Sequence, residues 1–413
     1  MTHPSRSIIL VEQFFWPDGW GGAQLPRDLS VAFAKRGWKV LAFCGSDQYA
    51  SIEGSPGDDP RDSGVDIRRI PRLFAGDIHR LKLFRQLWFY LAAVPMLLWE
   101  RPPDIYVAQT NPPLMVPIVA LVARLRRRPY VIIAQDIYPE VMFAHGMSRR
   151  DGLPGRVLAT IFSWAYRSAV RTVALGDVMT QKLIRKGVSP ERVQVVSNWA
   201  TGDTAIERGA TNKLRDEWNL GGCFVILYSG NLGIAHDVET PISALKLLLQ
   251  RFPQVRLVFI GKGSRLNDAR RVAEAQGVSH AVQFRPLVPA DQLPQTLGLA
   301  HIALVTLREG FEGLVVPSKL LGYMARGIPT LYVGPHSDIE QMLMRSGGGR
   351  CVRNADVQGF CREVETLIAQ PPALTAMGAA AERYYRDELS QQRGIQKYLD
   401  LFDSVLLEAA RRR

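Results

Sequence analysis

Residues 224–265 read FVILYSGNLGIAHDVETPISALKLLLQRFPQVRLVFIGKGSR, and this stretch decides the fold class. Two short apolar runs, Phe224–Ser229 and Arg256–Ile260, each end in a glycine-rich turn, and a helical segment lies between them. Alternation of this kind is typical of a parallel sheet covered by helices. Because open parallel sheets bind ligands at the carboxyl ends of their strands, we expect the informative residues to follow the strands directly.

The same alternation continues on both sides of this stretch, and the polar segment Thr201–Asn212 between the two series predicts a linker. We therefore predict an α/β protein with two Rossmann-like, doubly wound parallel-sheet domains, residues 1–200 and 201–389, that face an interdomain cleft. A last helix, residues 390–413, is expected to pack back on the first domain. The further predicted strands are Ile8–Phe15, Lys39–Cys44, Ile105–Gln109, Tyr130–Ala134, Thr172–Leu175, Val193–Val196, Val282–Arg285, Ile302–Thr306 and Pro329–Val333.

Composition excludes several classes of protein. With 413 residues, 47% hydrophobic and 22% charged, the chain supplies sizeable cores and is not of the disordered type. Four single cysteines without a C-x-x-C motif argue against a disulfide scaffold or a cysteine zinc site, and the histidines also lack metal spacing. The net charge of +12 is dispersed and no nucleic-acid motif occurs, so no nucleic-acid partner is predicted.

Two apolar segments, Leu87–Trp99 and Leu114–Ala123, lie next to basic residues in His79–Lys82 and Arg124–Arg128. Neither is long enough for a transmembrane helix. The pattern suits a protein that lies on an anionic membrane leaflet, although two buried helices with solvated ends would give the same pattern. Since no secretory signal opens the sequence, a cytoplasmic location is expected.

In the first half, candidate site residues follow two predicted strands. Gly21 and Gly22 would let the backbone approach a ligand at a helix N-terminus, or they form an ordinary strand-to-helix turn. The run Q-D-I-Y-P-E places Gln135, Asp136 and Glu140 after Tyr130–Ala134. The two carboxylates suit acid–base chemistry or recognition of an acceptor hydroxyl. Alternatively, Asp136 is a helix N-cap and Glu140 stabilises the first turn of that helix.

In the second half, the turns G-N-L-G-I-A-H (residues 230–236) and G-K-G-S-R (residues 261–265) predict an anion site. Backbone N–H groups together with Lys262 or Arg265 would suit a diphosphate. His236 could donate a hydrogen bond to a phosphate, or it could be structural.

A third group of candidates follows Ile302–Thr306. Ser318 is a good N-cap for the next helix. Lys319 would then lie in the first helical turn, against the preference of the helix dipole, which indicates a nearby anionic ligand unless the lysine is merely solvated. Glu309 or Glu312 could hold sugar hydroxyls, or either could be a solvated loop charge.

These pieces, in this order and over nearly the whole chain, resemble the GT-B-fold glycosyltransferases of family 4. Within that family, the chain is similar to bacterial enzymes that build exopolysaccharide, capsule or O-antigen repeat units. The matching motifs are G-G-A-Q-L at Gly21–Leu25, Q-T-N-P-P-L at Gln109–Leu114, Q-D-I-Y-P-E at Gln135–Glu140, N-W-A at Asn198–Ala200, Y-S-G-N-L-G-x-A-H at Tyr228–His236 and E-G-L-V-V-P-S-K at Glu312–Lys319.

The resemblance implies a retaining hexosyl- or N-acetylhexosaminyl-transferase that uses a UDP- or GDP-sugar and needs neither cofactor nor metal. Its acceptor would be a saccharide linked to a polyprenyl diphosphate, and the enzyme would lie on the inner face of the cytoplasmic membrane. The implied donor residues are Gly21 and Gly22 at the phosphate, Asn231, Gly233 and Lys319 at the diphosphate, Arg285–Val288 at the nucleobase, and Glu312 or Glu309 at the transferred sugar. Gly230 and His236, which lie in the same turn as Asn231, are also predicted to bind the donor. The implied acceptor residues are Asp136, Gln135, Glu140 and Asn111.

The chain also departs from the family pattern. The usual E-x₇-E pair is missing, and Ser318 stands where the second glutamate is expected; Asn231 and His236 replace the usual arginine and lysine of the first glycine-rich turn. Two other functions therefore remain open at this point. One is a nucleotide-sugar epimerase on the same fold, and the other is a non-enzymatic protein that binds nucleic acid or a membrane through its charge.

Overall fold

The computed structural model describes residues 6–18, 21–45, 58–71, 82–147, 149–200, 202, 206, 212–289 and 292–411. The chain divides into two compact units. The first comprises residues up to Ser197, the short segment Gly313–Val315 and the C-terminal segment Gly394–Arg413; the second comprises Asn198–Glu312 and Val316–Arg393. Most of the predicted linker, Thr201–Asn212, lies outside the described residues, and so do Gly19, Trp20 and residues 79–81 of the basic segment before the first apolar run.

The first unit contains a parallel seven-stranded sheet. Its strand order, β3-β2-β1-β4-β5-β6-β7, reverses direction between β1 and β4. Ile8 of β1 pairs with Val40 on one side and Ile105 on the other. The strands are β1 (Ser7–Val11), β2 (Lys39–Cys44), β3 (Val65–Arg69), β4 (Ile105–Gln109), β5 (Tyr130–Ile133), β6 (Arg171–Ala174) and β7 (Val193–Val195).

The helices of the first unit are α1 (Gly21–Lys35), α2 (Lys82–Trp99), α3 (Met115–Leu125), α4 (Glu140–Ala144), α5 (Leu153–Ser168), α6 (Asp177–Arg185) and the C-terminal α15 (Gln391–Arg411). Helix α15 packs on α1, where Phe402 lies 4.9 Å from Phe33 and 6.4 Å from Trp38 between ring centroids. Among the helices that the structure describes, none combines the length and apolar character needed to cross a membrane.

The second unit contains a parallel six-stranded sheet of order β10-β9-β8-β11-β12-β13. The order reverses between β8 and β11, so ligands are expected at the carboxyl ends of these two strands. A large apolar core packs against this sheet. The strands are β8 (Phe224–Ser229), β9 (Val255–Ile260), β10 (Val282–Arg285), β11 (Ile302–Thr306), β12 (Thr330–Val333) and β13 (Gly349–Val352); the helices are α7 (Leu214–Glu217), α8 (Glu239–Arg251), α9 (Leu266–Gln276), α10 (Leu293–Leu297), α11 (Lys319–Met324), α12 (Asp338–Ser346), α13 (Val357–Ala369) and α14 (Pro371–Tyr384).

Two parallel-sheet Rossmann-like units confirm the predicted fold class. The prediction missed β3 and β13, two short edge strands whose sequences, VDIRR and GRCV, lack an uninterrupted apolar run. It also made the first strand too long, because pairing ends at Val11. Residues 12–15 follow in a loop, in which Glu12 and Phe15 are buried and Gln13 and Phe14 are half-buried.

Candidate active site

Helix α1 begins at Gly21 and has open space beside Gly22. A Cβ atom added to Gly22 would meet no heavy atom within 4 Å. Close approach of a ligand to this backbone is therefore sterically possible, as predicted for the donor phosphate.

Asp136 follows β5 in a turn that other residues of the first unit hold in place. The Oγ1 of Thr110 accepts hydrogen bonds from the N–H groups of both Gln135 (2.9 Å) and Asp136 (3.0 Å). Asp136 also forms an antiparallel bridge with Val315, and the Ile137 N–H donates to the Leu314 carbonyl (2.9 Å). Asp136 is not a helix N-cap, because α4 begins at Glu140 and Pro139 occupies its N-cap position.

Burial raises the pKa of Asp136 to about 6, since removal of water disfavours the carboxylate. A carboxyl group with a pKa near the working pH can exchange a proton or orient a hydroxyl. Of the acidic residues proposed for the first half, Asp136 has the environment best suited to this chemistry.

The other acceptor-side candidates have structural partners. Glu140 forms an ion pair with the buried Lys186 at 2.6 Å, in the first turn of α4. The carbonyl of Asn111 accepts the Gln13 N–H (3.3 Å). Glu140 is therefore committed to holding α4, which leaves Asp136 as the better candidate for contact with an acceptor.

Glu12 is a residue that the sequence analysis missed. It follows β1 at the point where the strand order reverses, and only 1% of its surface is exposed. Its Oε1 accepts the Gln13 N–H, whereas its Oε2 has no hydrogen-bond partner among the described residues. Burial raises its pKa well above the usual range. In the sequence, Glu12 lies within the predicted first strand, Ile8–Phe15. Its position directly after a strand becomes evident only when β1 is known to end at Val11.

In the second unit, the two glycine-rich turns pack against each other backbone to backbone. A Cβ atom at Gly261 would lie 2.0 Å from the Gly230 carbonyl oxygen, and one at Gly263 would lie 2.2 Å from that of Leu232. The N–H groups of Gly230 and Leu232 donate to the carbonyls of Ile260 and Lys262 (2.8 and 2.7 Å). The prediction that backbone N–H groups of these turns bind a diphosphate is therefore wrong for Gly230 and Leu232, whose N–H groups join the turns.

Arg265, which was predicted as a possible donor-binding cation, has carboxylate partners inside the second unit. Its guanidinium is buried and forms ion pairs with Glu239, the first residue of α8, and with Asp268 of α9 (3.0 Å). Its charge is therefore balanced inside the unit. The side chains of Lys262 and Asn231 are exposed.

Lys319 and His236 come together where the second sheet reverses its strand order. Lys319 Nζ lies 3.4 Å from His236 Nε2 and 4.7 Å from the centroid of the Tyr228 ring. The Cε of Lys319 lies 3.5 Å from where a Cβ of Gly230 would stand. Burial lowers the pKa of Lys319 to about 7, so the alternative of a freely solvated lysine is wrong.

His236 was predicted either to donate a hydrogen bond to a phosphate or to be structural, and its contacts favour the structural alternative. Its Nδ1 lies 2.8 Å from the carbonyl oxygen of Thr306, which can only accept, so the proton is on Nδ1. Burial, together with the charge of Lys319, lowers the pKa of His236 to about 3. The ring is therefore neutral, and its Nε2 presents a lone pair to Lys319.

The remaining candidates of the second half lie on the loop after β11 and on the edge strand β10. Ser318 occupies the N-cap position of α11 and Lys319 is its first residue, as predicted, although the Ser318 side chain makes no cap hydrogen bond. Glu312 Oε2 accepts the Gly310 N–H (2.8 Å), while Glu309 is exposed. The Arg285 guanidinium stacks 4.8 Å from the Trp218 ring centroid.

Two family models cover most of the chain. The model described as "Glycosyl transferase 4-like domain" matches residues 21–199, and the model described as "Glycosyl transferases group 1" matches residues 211–384. The chain is a glycosyltransferase. The match excludes the non-enzymatic alternative and favours transfer over epimerisation.

Several relatives of the enzyme are themselves named as glycosyltransferases. It is 26% identical over 327 residues to the probable glycosyltransferase WbjE of Pseudomonas aeruginosa, which covers 78% of this chain and 79% of WbjE. It is 27% identical over 289 residues to WcaI of Escherichia coli K12, a putative colanic acid biosynthesis glycosyl transferase, covering 68% and 70% of the two chains. A GDP-mannose:cellobiosyl-diphosphopolyprenol alpha-mannosyltransferase of Xanthomonas oryzae is 23% identical over 70% of this chain and 71% of its own.

Among solved structures, the glycosyltransferase is similar to HepE of Anabaena, crystallised with UDP and glucose. The TM-score is 0.72 at 16% identity, over 97% of this chain and all of HepE. The likeness supports the two-domain GT-B fold. Within the described part of the chain, no group of three or more His, Cys, Asp or Glu side chains is arranged to hold a metal ion.

The enzyme also has a cation that the sequence analysis did not nominate. Arg308, two residues after β11, has an exposed side chain whose Nη1 donates to the Ile234 carbonyl (3.4 Å), and its backbone N–H donates to the Ala235 carbonyl (2.7 Å). These bonds tie the loop after β11 to the turn after β8. The only available signal in the sequence was the position of Arg308 two residues after a predicted strand.

Proposed function

We propose that this enzyme transfers a sugar, with retention of configuration, from a UDP- or GDP-sugar to a saccharide linked to a polyprenyl diphosphate. The transfer would contribute to exopolysaccharide, capsule or O-antigen synthesis. The observation that carries the proposal is the half-buried Lys319 ammonium beside Gly230 and His236, at the ligand-binding position of the second sheet. The names of WcaI and of the Xanthomonas relative support the polysaccharide and the lipid-linked acceptor.

In the proposed reaction, the bond between the anomeric carbon and the diphosphate oxygen breaks, and the acceptor oxygen bonds to the same face of that carbon. The acceptor proton passes to an oxygen of the leaving diphosphate, so no protein nucleophile is required. The nucleoside diphosphate leaves with increased negative charge. A fixed cation next to that charge stabilises the transition state more than the ground state, and we assign this role to Lys319.

We propose that the carboxyl group of Asp136 contacts the acceptor hydroxyl. Asp136→Asn removes the titrating group but keeps the turn, because Thr110 binds backbone N–H groups. The wild-type rate at saturating donor should rise as the pH increases through about 6, since the carboxylate is the form that accepts a hydrogen bond from the acceptor hydroxyl and orients it while the proton passes to the diphosphate. Asp136→Asn should lower kcat by about 100-fold and abolish that rise. An unchanged pH profile in a folded variant would contradict this role.

The proposed function is tested with a panel of UDP- and GDP-sugars, purified enzyme and a bacterial lipid extract, with nucleotide release and sugar transfer to lipid both measured. Release that depends on acceptor, with a single donor, supports the proposal and identifies the sugar. Isomerisation of the sugar without a lipid product would support the epimerase instead. We propose that no metal is needed, because the sequence has no D-x-D motif. Loss of transfer in EDTA, restored by a divalent cation, would contradict that part.

We further propose that the enzyme lies on the anionic inner leaflet of the cytoplasmic membrane through one surface of its first unit. Helix α3 packs between α2 and α5, and all three have apolar side chains on their outer faces. Leu91 of α2 is 60% exposed, Trp99 is 92% exposed and Leu153 of α5 is 76% exposed. The exposed apolar residues of this surface, which we call the helix surface, are Phe84, Leu87, Leu91, Trp99, Leu121, Leu125, Leu153, Val157 and Ile161.

The same helices carry exposed arginines, namely Arg124 in the last turn of α3, Arg127 just after α3, and Arg156 on α5. An apolar surface bordered by basic side chains suits anionic lipid. The alternative that α2 and α3 are simply buried is wrong for their outer faces, although the inner faces are buried as expected. The contribution of α5 was not predicted, because its apolar residues are interspersed with polar ones.

Replacing Leu87 and Leu91 together by glutamate should lower binding to phosphatidylglycerol-containing vesicles by at least about 10-fold, because two apolar side chains are lost and two charges are repelled by the leaflet. The matched control is Leu407→Glu, because Leu407 is 58% exposed and lies on α15, whose Phe402 packs on Phe33 of α1. Vesicle sedimentation measures the binding. Equal retention of both variants would show that the helix surface does not contact lipid.

A further inference from the structure

We propose that His236 is a positioning residue for Lys319, with its Nε2 accepting a hydrogen bond from the ammonium and directing the remaining N–H groups of Lys319 toward the diphosphate of the donor. The inference rests on the proposed function, since it assumes that Lys319 binds the diphosphate. His236 itself need not touch the donor.

The orientation of the imidazole ring is fixed from two sides. The Thr306 carbonyl, at the end of β11, accepts the Nδ1 proton at 2.8 Å. The ring also packs edge-on against Tyr228 of β8, with 5.6 Å between centroids and 77° between planes. The lone pair on Nε2 therefore has one direction, and Lys319 Nζ is 3.4 Å away in that direction.

The backbone around His236 is equally constrained. The His236 N–H donates to the Gly233 carbonyl (3.0 Å), and the neighbouring Ala235 carbonyl accepts the Arg308 N–H (2.7 Å). The loops that follow β8 and β11 are thus linked at the residue that carries the imidazole. A neutral histidine at this position can accept a hydrogen bond from the Lys319 ammonium. A lysine or arginine at the same position could not, because neither side chain has an acceptor atom.

Among the described residues, no carboxylate forms a hydrogen bond or an ion pair with Lys319 or His236. The hydroxyl of Tyr228 donates to the Asn231 carbonyl, and that of Tyr323 exchanges hydrogen bonds with the backbone of Ser229. Arg265 faces His236 from the second glycine-rich turn, but its charge is balanced by Glu239 and Asp268. The imidazole is therefore the polar side chain that the structure places next to the ammonium.

Two substitutions separate positioning of Lys319 from a merely structural role. His236→Gln places an acceptor oxygen near the Nε2 position and gives up the bond to Thr306. His236→Asn places a donor near the Nδ1 position and gives up the acceptor for Lys319. Positioning predicts that His236→Asn weakens UDP or GDP binding by about 10-fold and that His236→Gln restores at least half of the loss on a logarithmic scale. A structural role predicts the reverse order.

A double-mutant cycle tests whether His236 acts through Lys319. In the Lys319→Met background, His236→Asn should change nucleotide affinity by less than about 2-fold, since the group it positions is gone. A loss as large as in wild type would overturn the proposal. Titration calorimetry with UDP and GDP measures each affinity, and circular dichroism verifies the fold of each variant.

A third measurement does not depend on nucleotide binding. In ¹⁵N-histidine-labelled enzyme, the imidazole of His236 should show a protonated Nδ1 and an unprotonated Nε2 whose resonance shifts when Lys319 is replaced by methionine. A protonated Nε2, or no response to that substitution, would overturn the positioning role whatever the enzyme binds. Failure of the wild-type enzyme to bind any nucleotide would instead overturn the proposed function, and the positioning role along with it.

Discussion

Replacing Lys319 by methionine is expected to weaken the binding of nucleoside diphosphate by about 10- to 100-fold and to lower kcat further. Methionine keeps the length and apolar contacts of the side chain against Gly230 and Tyr228 but removes the charge. The effect should be large because the ammonium is half-buried, where a charge interacts more strongly with a phosphate than it does in water.

The pH dependence gives an independent test of the same contact. Because the pKa of Lys319 is lowered to about 7, part of the free enzyme is uncharged there at neutral pH, and a bound diphosphate would raise that pKa and take up a proton. Nucleotide affinity of the wild type should therefore fall as the pH rises from 7 to 9. The fall should disappear in Lys319→Met and persist in the control Lys246→Met, an exposed lysine on α8. Calorimetry at several pH values measures it, and equal slopes in all three proteins would refute the assignment.

Gly261→Ala is expected to destabilise the second unit by about 3–5 kcal/mol. The backbone of Gly261 has a φ of +147°, which an alanine rarely adopts, and its Cβ would lie 2.0 Å from the Gly230 carbonyl oxygen. The obstacle is backbone rather than a flexible side chain, so the two glycine-rich turns must separate. Separation would also displace Gly230 from Lys319, and we expect nucleotide binding to be lost together with the stability.

Gly277→Ala is the matched control, because Gly277 also has a positive φ, +72°, but has no heavy atom within 4 Å of the added Cβ. It should cost only about 1 kcal/mol. Hydrogen exchange of peptides from β8 and β9 reports the stability of the second unit directly. If both variants exchanged like the wild type, the close packing of the turns would not contribute to stability.

Strands with continuous apolar runs were predictable from the sequence because every residue of β4, β5 and β11 is nearly or fully removed from water. The strand β3 was not, since only one of its faces is buried and its sequence alternates apolar with charged residues. A prediction that depends on uninterrupted apolar runs finds the centre of a parallel sheet and can miss edge strands such as β3 and β13, although it found the edge strands β7 and β10.

Positions in the site were predictable, but partnerships were not. Lys319 and His236 were identified from where they follow strands, yet they lie 83 positions apart, and nothing in the sequence indicates that their side chains meet. Arg265 was a reasonable candidate until the structure placed two carboxylates beside it. Local sequence gives the charge of a side chain, whereas its neighbours from other loops decide whether that charge is available to a ligand.

The place of α15 in the first unit affects how the chain is made. Residues Gly394–Arg413 belong to the first unit, although all of the second unit precedes them in the sequence. A ribosome therefore releases the whole second unit before Phe402 emerges to cover Phe33 and Trp38. The first unit is therefore begun first and completed last during synthesis. A chain interrupted after Arg393 would contain all of the second unit, but its α1 would lack the cover of Phe402.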